Sequence, residues 1–261
     1  MEHLGIQLWS LRREMEANLD AALDRVENWG LSEVETAGTA ARPAAEFVAA
    51  LREHGLTAVA AHESYEKLAC DLVSVAQAAQ ILGVGFVICP NLPKTALPLN
   101  KESAGRLASK FNQWGKALSA DGLRFGYHTH GSEFRPLDQD PASTGFDILM
   151  QETDAELVTF EMDVFWVRRG GVDPAKLLSK YPGRWSLLHL KDLRIDAPTG
   201  IYDSAAPASD KVPVGKGAIN WPDVLRAARP AGVKHLFLED ETADALENIP
   251  ISLEYLRNSS E

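Results

Sequence analysis

The sequence predicts an α/β protein, a single-domain (β/α)8 or TIM barrel over residues 1–261. Three observations predict it. Short apolar runs alternate with longer amphipathic stretches from end to end, which is the pattern of repeated βα units around a parallel sheet. Eight such runs are present, the number that a closed barrel needs. The first βα turn reads LWSLRRE and no GxGxxG follows any run, which argues against an open, doubly wound nucleotide-binding sheet.

In chain order, the strands are expected to begin near Leu4, Glu33, Thr57, Gly85, Leu123, Leu157, Ser186 and Lys234. The helices between them carry boundary signals. Asn18 and Asp20 open a stretch ending at Gly30, and Pro43 opens one that stops at Gly55. Asp173-Pro174 and Asn220-Trp221-Pro222-Asp223 open two more, and a closing helix is expected from about Thr242 to Leu256. From Asp192 to Ile219 the periodicity fails and Pro, Gly, Ser and Asp accumulate. A loop of this length after the seventh strand falls on the face of a barrel that carries active sites.

Composition narrows the function classes. A formal net charge of -11 repels nucleic-acid phosphates and anionic lipid, so neither nucleic acid nor a membrane surface is expected as a partner. No export signal is apparent and no apolar run approaches a membrane span, so a cytoplasmic protein acting on a small molecule is expected, with a homo-oligomer left open. Cys70 and Cys89 do not form a CxxC pattern, and each reads as a buried free thiol in a reducing compartment.

The chemistry gathers at the strand ends, where barrel active sites lie. The second run ends VETA with Glu35 and the third AAH with His62. The fifth reads GYHTHGSEF, with His128, His130 and Glu133, and the sixth FEMD, with Glu161 and Asp163. The seventh reads LLHLKD, with His189 and Lys191, and the eighth LFLEDE, with Glu239 and Glu241. A side-chain period of two turns His128 with His130, Glu161 with Asp163, and His189 with Lys191 toward one side. Carboxylates crowded into one pocket repel one another unless a cation offsets them, so one divalent ion is expected. Mixed carboxylate and imidazole donors suit Mn, Mg, Zn, Co or Fe, and the oxygen-rich set favours Mn. Trp9 and Trp166 lie near strand ends where an indole can stack on a sugar face. Lys191, Arg194, Lys211, Lys216 and the glycines of VGKGA leave open a site for a phosphate on the substrate.

At GIQLWSLR, YHTHGSEF, EMDVFWVRRGGVDP, LLHLKD, PVGKGAINWPDVL and FLEDE the chain resembles the xylose isomerase-like barrel superfamily, over essentially its whole length. That superfamily includes sugar phosphate isomerases/epimerases, inosose dehydratases, ketose 3-epimerases, hydroxypyruvate isomerases and apurinic endonucleases. The resemblance implies metal ligands at Glu133, Asp163, His189 and Glu239. It also implies proton transfer or oxyanion stabilisation by His130, Lys191, Glu133 or Glu239, and substrate contacts from Trp9, Glu35, His62, His128 and Trp166. The expected activity is metal-dependent isomerisation or epimerisation of a sugar or keto-sugar. The alternatives are dehydration of a keto-cyclitol or 3-keto-glycoside, to which the HxH variant of the fifth strand is similar, and a sugar-binding barrel without turnover. In the 3-epimerases two metal-bound glutamates on opposite sides of the substrate exchange protons with the carbon between them. The endonuclease branch needs three clustered metals and a DNA-binding face, which this acidic sequence lacks.

Overall fold

The computed structural model describes residues 4–259. Eight parallel strands close into a barrel: β1 (Leu4–Gln7), β2 (Glu33–Thr36), β3 (Thr57–His62), β4 (Phe86–Cys89), β5 (Arg124–His128), β6 (Val158–Asp163), β7 (Trp185–Leu190) and β8 (His235–Leu238). Each pairs with the next, and β8 pairs with β1. The expected strand starts agree with the observed ones to within one residue.

Local signals set the helices. The Asn18 side chain accepts from Ala21 N to start Leu19–Asn28, Asp173 accepts from Lys176 N to start Pro174–Lys180, and Asn220 accepts from Asp223 N to start Trp221–Ala231. Pro43 precedes Ala44–Glu53 as expected. The closing helix, Ala245–Asn258, starts later than Thr242 because Thr242 is folded into a turn, donating from N and Oγ1 to Asp240.

The main core fills the space between strands and helices. Lys101–Ser119 lies so close to the chain entering β6 that a Cβ on Gly115 would come within 2.4 Å of the Leu157 carbonyl oxygen. Inside the barrel, Ala60, Ile88, Leu187 and Phe237 form a separate apolar layer. Gly126 makes room for it, since a Cβ there would meet Ile88 Cδ1 at 2.4 Å. By the strand period, the next inward residues are His62, His128, His189 and Glu239, so this apolar layer is the floor beneath them. Register shifts occur at Val34/Glu35 against β3 and at Phe160/Glu161 against β7, each beside a buried glutamate. Irregularities of this kind re-aim a side chain.

The aperiodic segment 192–219 is tied down at several points. Its start folds back on a later stretch as a short antiparallel ribbon, Asp192–Leu193 with Lys211–Val212. Buried Arg169 reaches Asp210 at 2.8 Å, and Ile201 N donates to the Arg169 carbonyl. The segment passes over the turn after β5, where a Cβ on Gly131 would meet the Ile201 and Asp203 carbonyls at 2.9 and 3.0 Å. Both cysteines are free. Cys89 is buried, but Cys70 is exposed at the end of Tyr65–Cys70, a short helix that buries only Leu68, which corrects the expectation of two buried thiols. Among the described residues no helix is long and apolar enough to cross a membrane.

Asp147 concentrates several contacts: it completes the capping box of Gly145–Glu152 and accepts from Lys180 Nζ at 2.6 Å and from the Tyr181 hydroxyl. Burial alone would raise its carboxyl, but Lys180, Thr144 and Tyr181 outweigh that and hold it below the usual range. Asp147→Ala is expected to cost about 1–3 kcal/mol in urea unfolding at neutral pH. A depressed folded-state carboxyl stabilises above its unfolded value of roughly 4, and that contribution is lost as pH falls further. The deficit of the variant should therefore shrink on acidification; a deficit that grew would contradict the ion-pair account.

Candidate functional site

Side chains at the carboxyl ends of the strands converge above the apolar floor. Glu35, Glu161, Asp163 and His189 are wholly buried, and Glu239 nearly so. Gln7 from β1 donates to Glu35 at 2.7 Å and accepts from Trp9 N at 3.0 Å, so it joins the site to the turn that carries Trp9.

Imidazoles and carboxylates alternate. His189 Nδ1 lies 2.7 Å from Glu239 and its Nε2 lies 2.5 Å from Glu35. His128 Nδ1 lies 2.8 Å from Glu161, and His62 Nε2 lies 3.0 Å from the same Glu161 oxygen. Lys191 Nζ bridges Asp163 at 2.9 Å and Glu239 at 2.8 Å.

Each carboxylate is therefore offset by a neighbouring cation. Burial alone would lower His62, but Glu35 and Glu161 outweigh it and raise the group to about 9. Burial likewise opposes the charge on His189, yet Glu161, Glu35 and Glu239 raise its pKa well above the ordinary value, and a ring facing carboxylates at both nitrogens holds both protons. Against the effect of burial, His189, His128 and His62 keep Glu161 well below the usual carboxylate range, and Lys191 and His189 do the same for Glu239. Lys191 is raised well above its ordinary value by Asp163, Glu239 and Glu241 despite burial.

Among the described residues three buried carboxylate oxygens still lack a hydrogen-bond donor: Glu35 Oε1, Glu161 Oε1 and Asp163 Oδ2, the last facing Lys191 as an ion pair. Among the described residues, two groups at this end of the barrel have ligand atoms within 4.8 Å of one another, His62-His128-Glu161-His189, buried but for half-buried His62, and Asp163-His189-Glu239, all buried. This donor set fits a divalent cation, which would supply the positive charge that the imidazolium protons and Lys191 otherwise provide.

A cavity of about 270 Å3 opens over the cluster. Its uncharged lining comes from Trp9, Ala37, Pro90 and Asn91, and its titratable lining from His62, His128, His130, Lys191, Glu239 and Glu241. Its volume lies just below the range of small-ligand sites, roughly 300–1,000 Å3. Trp9 is 45% exposed at the cavity, with the Arg12 guanidinium 4.9 Å over its ring. The His130 ring stands 5.0 Å from His128 and 5.2 Å from Trp166. Burial, and after it His128, lowers its pKa well below the ordinary value, which leaves a neutral imidazole facing the cavity.

Asp163, His189 and Glu239 come together as the sequence suggested, but Glu133 does not join them. Tyr127 sits one residue from inward-facing His128, so it points to the helix layer, where it stacks on Phe111 at 5.1 Å. Its hydroxyl donates to Glu133. The other Glu133 oxygen accepts from His130 N at 3.0 Å, so Glu133 braces the histidine segment from behind and does not line the cavity. Burial raises the Glu133 carboxyl even against these donors.

Trp166 is likewise buried, packing on His130 and Phe165 instead of lining the cavity. Glu35 lies within the charged network rather than in the cavity wall. The VGKGA amides face no substrate, because Gly215 N and Gly217 N donate to the Asp192 carboxylate at 2.9 and 3.1 Å. Glu161 is among the metal-capable groups that the sequence turns to one side with Asp163, but not among the four ligands that the resemblance implies. Gln7, which the period of two shared with Gly5 places inward, and Asn91, in the loop after β4, have no role in the sequence.

The model for the xylose isomerase-like TIM barrel matches residues 23–259. The chain belongs to that family. An inosose dehydratase from Clostridium beijerinckii is 33% identical over 98 residues, 37% of this chain and 31% of that protein. The match thus spans under a third of that relative's length. Among solved structures, a sugar phosphate isomerase/epimerase from Parabacteroides distasonis is 23% identical, covers 98% of both chains and superposes with a TM-score of 0.79. An IolI protein with a binding zinc atom is 14% identical over 99% of this chain and 96% of its own, with a TM-score of 0.70. At these identities the family members share the barrel.

The geometry separates residues that could hold a metal ion from those that brace the site. Elemental analysis after loading with Mn2+ should find a divalent ion that Asp163→Ala and His189→Ala each abolish. Glu133→Gln should keep the ion and lower stability instead, by about 1–3 kcal/mol for a disrupted buried hydrogen-bond pair. Loss of the ion in Glu133→Gln with the fold intact would restore Glu133 as a ligand.

Proposed function

We propose that the chain is a divalent-metal-dependent enzyme that removes water from a keto-cyclitol or keto-sugar, beginning with proton abstraction beside the carbonyl. The placement of Glu133 carries this reading. The proton exchange of the 3-epimerases needs two glutamates on opposite faces of the substrate, but Glu133 is turned toward Tyr127. His128, His130, Lys191 and Glu239 line the cavity instead.

In this mechanism His130, whose ring has no hydrogen bond from the described residues, takes the proton α to the carbonyl and leaves an enolate. Lys191 protonates the β-hydroxyl, which departs as water and leaves an α,β-unsaturated ketone. Solvent then removes the proton from His130 and returns one to Lys191. Trp9 offers an exposed indole face for the C–H side of the ring. Asp163, His189 and Glu239 would hold the divalent ion, with Mn2+ favoured, and once bound it supplies Lewis-acid polarisation that acidifies the neighbouring C–H.

The partial likeness to an inosose dehydratase supports the same reading. Isomerisation or epimerisation starts with the same proton abstraction and differs in reprotonating the enolate. The test is incubation with a 2-keto-inositol and a panel of keto-sugars in deuterated buffer, read by mass spectrometry. Loss of one water supports dehydration, and deuterium incorporation without that loss points to isomerisation or epimerisation. Neither change across Mn2+, Mg2+, Co2+ and Zn2+ would leave a sugar-binding barrel. His130→Ala and Lys191→Met are each expected to lower kcat by roughly 10²–10⁴.

A further inference from the structure

The cations near the cavity already have partners. Lys191 Nζ is shared among Asp163, Glu239 and Glu241, the last at 3.5 Å. Lys211, carried in by the loop ribbon, donates to the same Glu241 oxygen at 2.6 Å. Arg194 pairs with Asp210 at 3.2 Å, and the Arg12 guanidinium donates to the Trp9 and Glu241 carbonyls. The loop amides that could have held a phosphate are on Asp192. Glu239 and Glu241 meanwhile stand in the cavity wall, with Glu161 and Asp163 buried beside it.

An anionic ligand would therefore meet carboxylates and lysines that are already paired. Like charges brought together without a free counter-charge repel and lower affinity. Glu241 holds the decisive position, because it lines both the main cavity and a small adjoining one that Lys211 lines. Its Oε2 marks a point where two ammonium groups converge, Lys211 at 2.6 Å and Lys191 at 3.5 Å.

Resting on the reading of this cavity as the substrate site, we infer that it takes an uncharged polyhydroxylated ligand, and that Glu241 excludes phosphorylated ones by masking a latent anion site on Lys211 and Lys191. Replacing the carboxylate with an amide removes the anion on which Lys211 and Lys191 converge between the two cavities. A phosphate oxygen can then take the place of Glu241 Oε2.

The test is calorimetric titration of the purified protein with myo-inositol and with myo-inositol 1-phosphate, for the wild type and Glu241→Gln. The wild type should prefer the neutral ligand by about tenfold or more. Glu241→Gln should shift the preference toward the phosphate by about tenfold or more, and that gain should fade as salt is raised, as attraction between charges requires. Equal or tighter binding of the phosphate by the wild type would overturn the inference, as would an unchanged ratio in the variant. If Glu241→Gln does not fold, Lys211→Met decides, since it should leave the neutral preference intact or wider and a reversal would count against the assignment. Neutral ligand bound without turnover would sink the enzymatic proposal and leave this one standing, whereas a phosphate ester bound and turned over would do the opposite.

Discussion

Four carboxylates, Glu35, Glu161, Asp163 and Glu239, are buried at one end of the barrel, and the rest of the site follows from the need to keep them charged there. Two such charges about 4 Å apart repel by roughly 4 kcal/mol at an effective dielectric of 20. A stack of four cannot persist without cations interleaved among them. His62, His189 and Lys191 supply those cations, and His128 a hydrogen-bond partner for Glu161, from β3, β5 and the end of β7, strands that only a closed barrel brings to the same mouth. The floor of Ala60, Ile88, Leu187 and Phe237 holds this layer at its height, and the register shifts at Glu35 and Glu161 turn two of the acids inward.

The long segment after β7 obeys the same electrostatic rule with the signs arranged differently. Lys191 and Asp192 are neighbours on an extended chain and so face opposite ways. Lys191 goes to the site, and Asp192 goes to a nest of donors formed by Gly215 N, Gly217 N, Ile219 N and the Trp221 indole. The segment thus carries its own internal anion. A Cβ on Gly217 would lie 2.2 Å from the Asp192 carboxylate, so glycine at that position is set by the carboxylate's approach. One two-residue step in the chain couples the loop's conformation to the lysine that bridges Asp163 and Glu239.

Much of this was legible in the sequence because barrels follow simple periods. Strand starts could be read to within a residue, and the period of two correctly turned His128, Asp163 and His189 toward one another. The reading failed where the chain leaves the strand. Glu133 lies in the short turn Ser132–Phe134, where the period no longer applies, and it follows outward-facing Tyr127 rather than inward-facing His128. Trp166 has the right neighbours in sequence, but it is on the helix Val164–Arg169 and points into packing. VGKGA has the composition of an anion nest and is one, but its anion is Asp192, a partner 23 residues from Gly215 that no local pattern reveals. Gln7 escaped because an amide at a strand end does not announce a ligand, although Glu35 and Trp9 are both fixed through it.

The two histidines of the YHTH segment show how environment, rather than residue type, divides the labour. They are two residues apart and their rings are 5.0 Å apart, yet they face different neighbours. His128 sees Glu161 at 2.8 Å and Asp163 at 3.5 Å, and so belongs to the carboxylate layer. His130 has the buried indole of Trp166 behind it and the cavity before it, with its backbone N–H pinned by Glu133. An imidazole locked between carboxylates is a poor base, because its lone pairs and protons are already committed. One held by packing, with its ring nitrogens unengaged by the described residues, is the better placed of the two for the proton transfer proposed above. Glu133 and Trp166, read from the sequence as ligand and stacking platform, instead fix the position of His130, one through its backbone N–H and the other through packing.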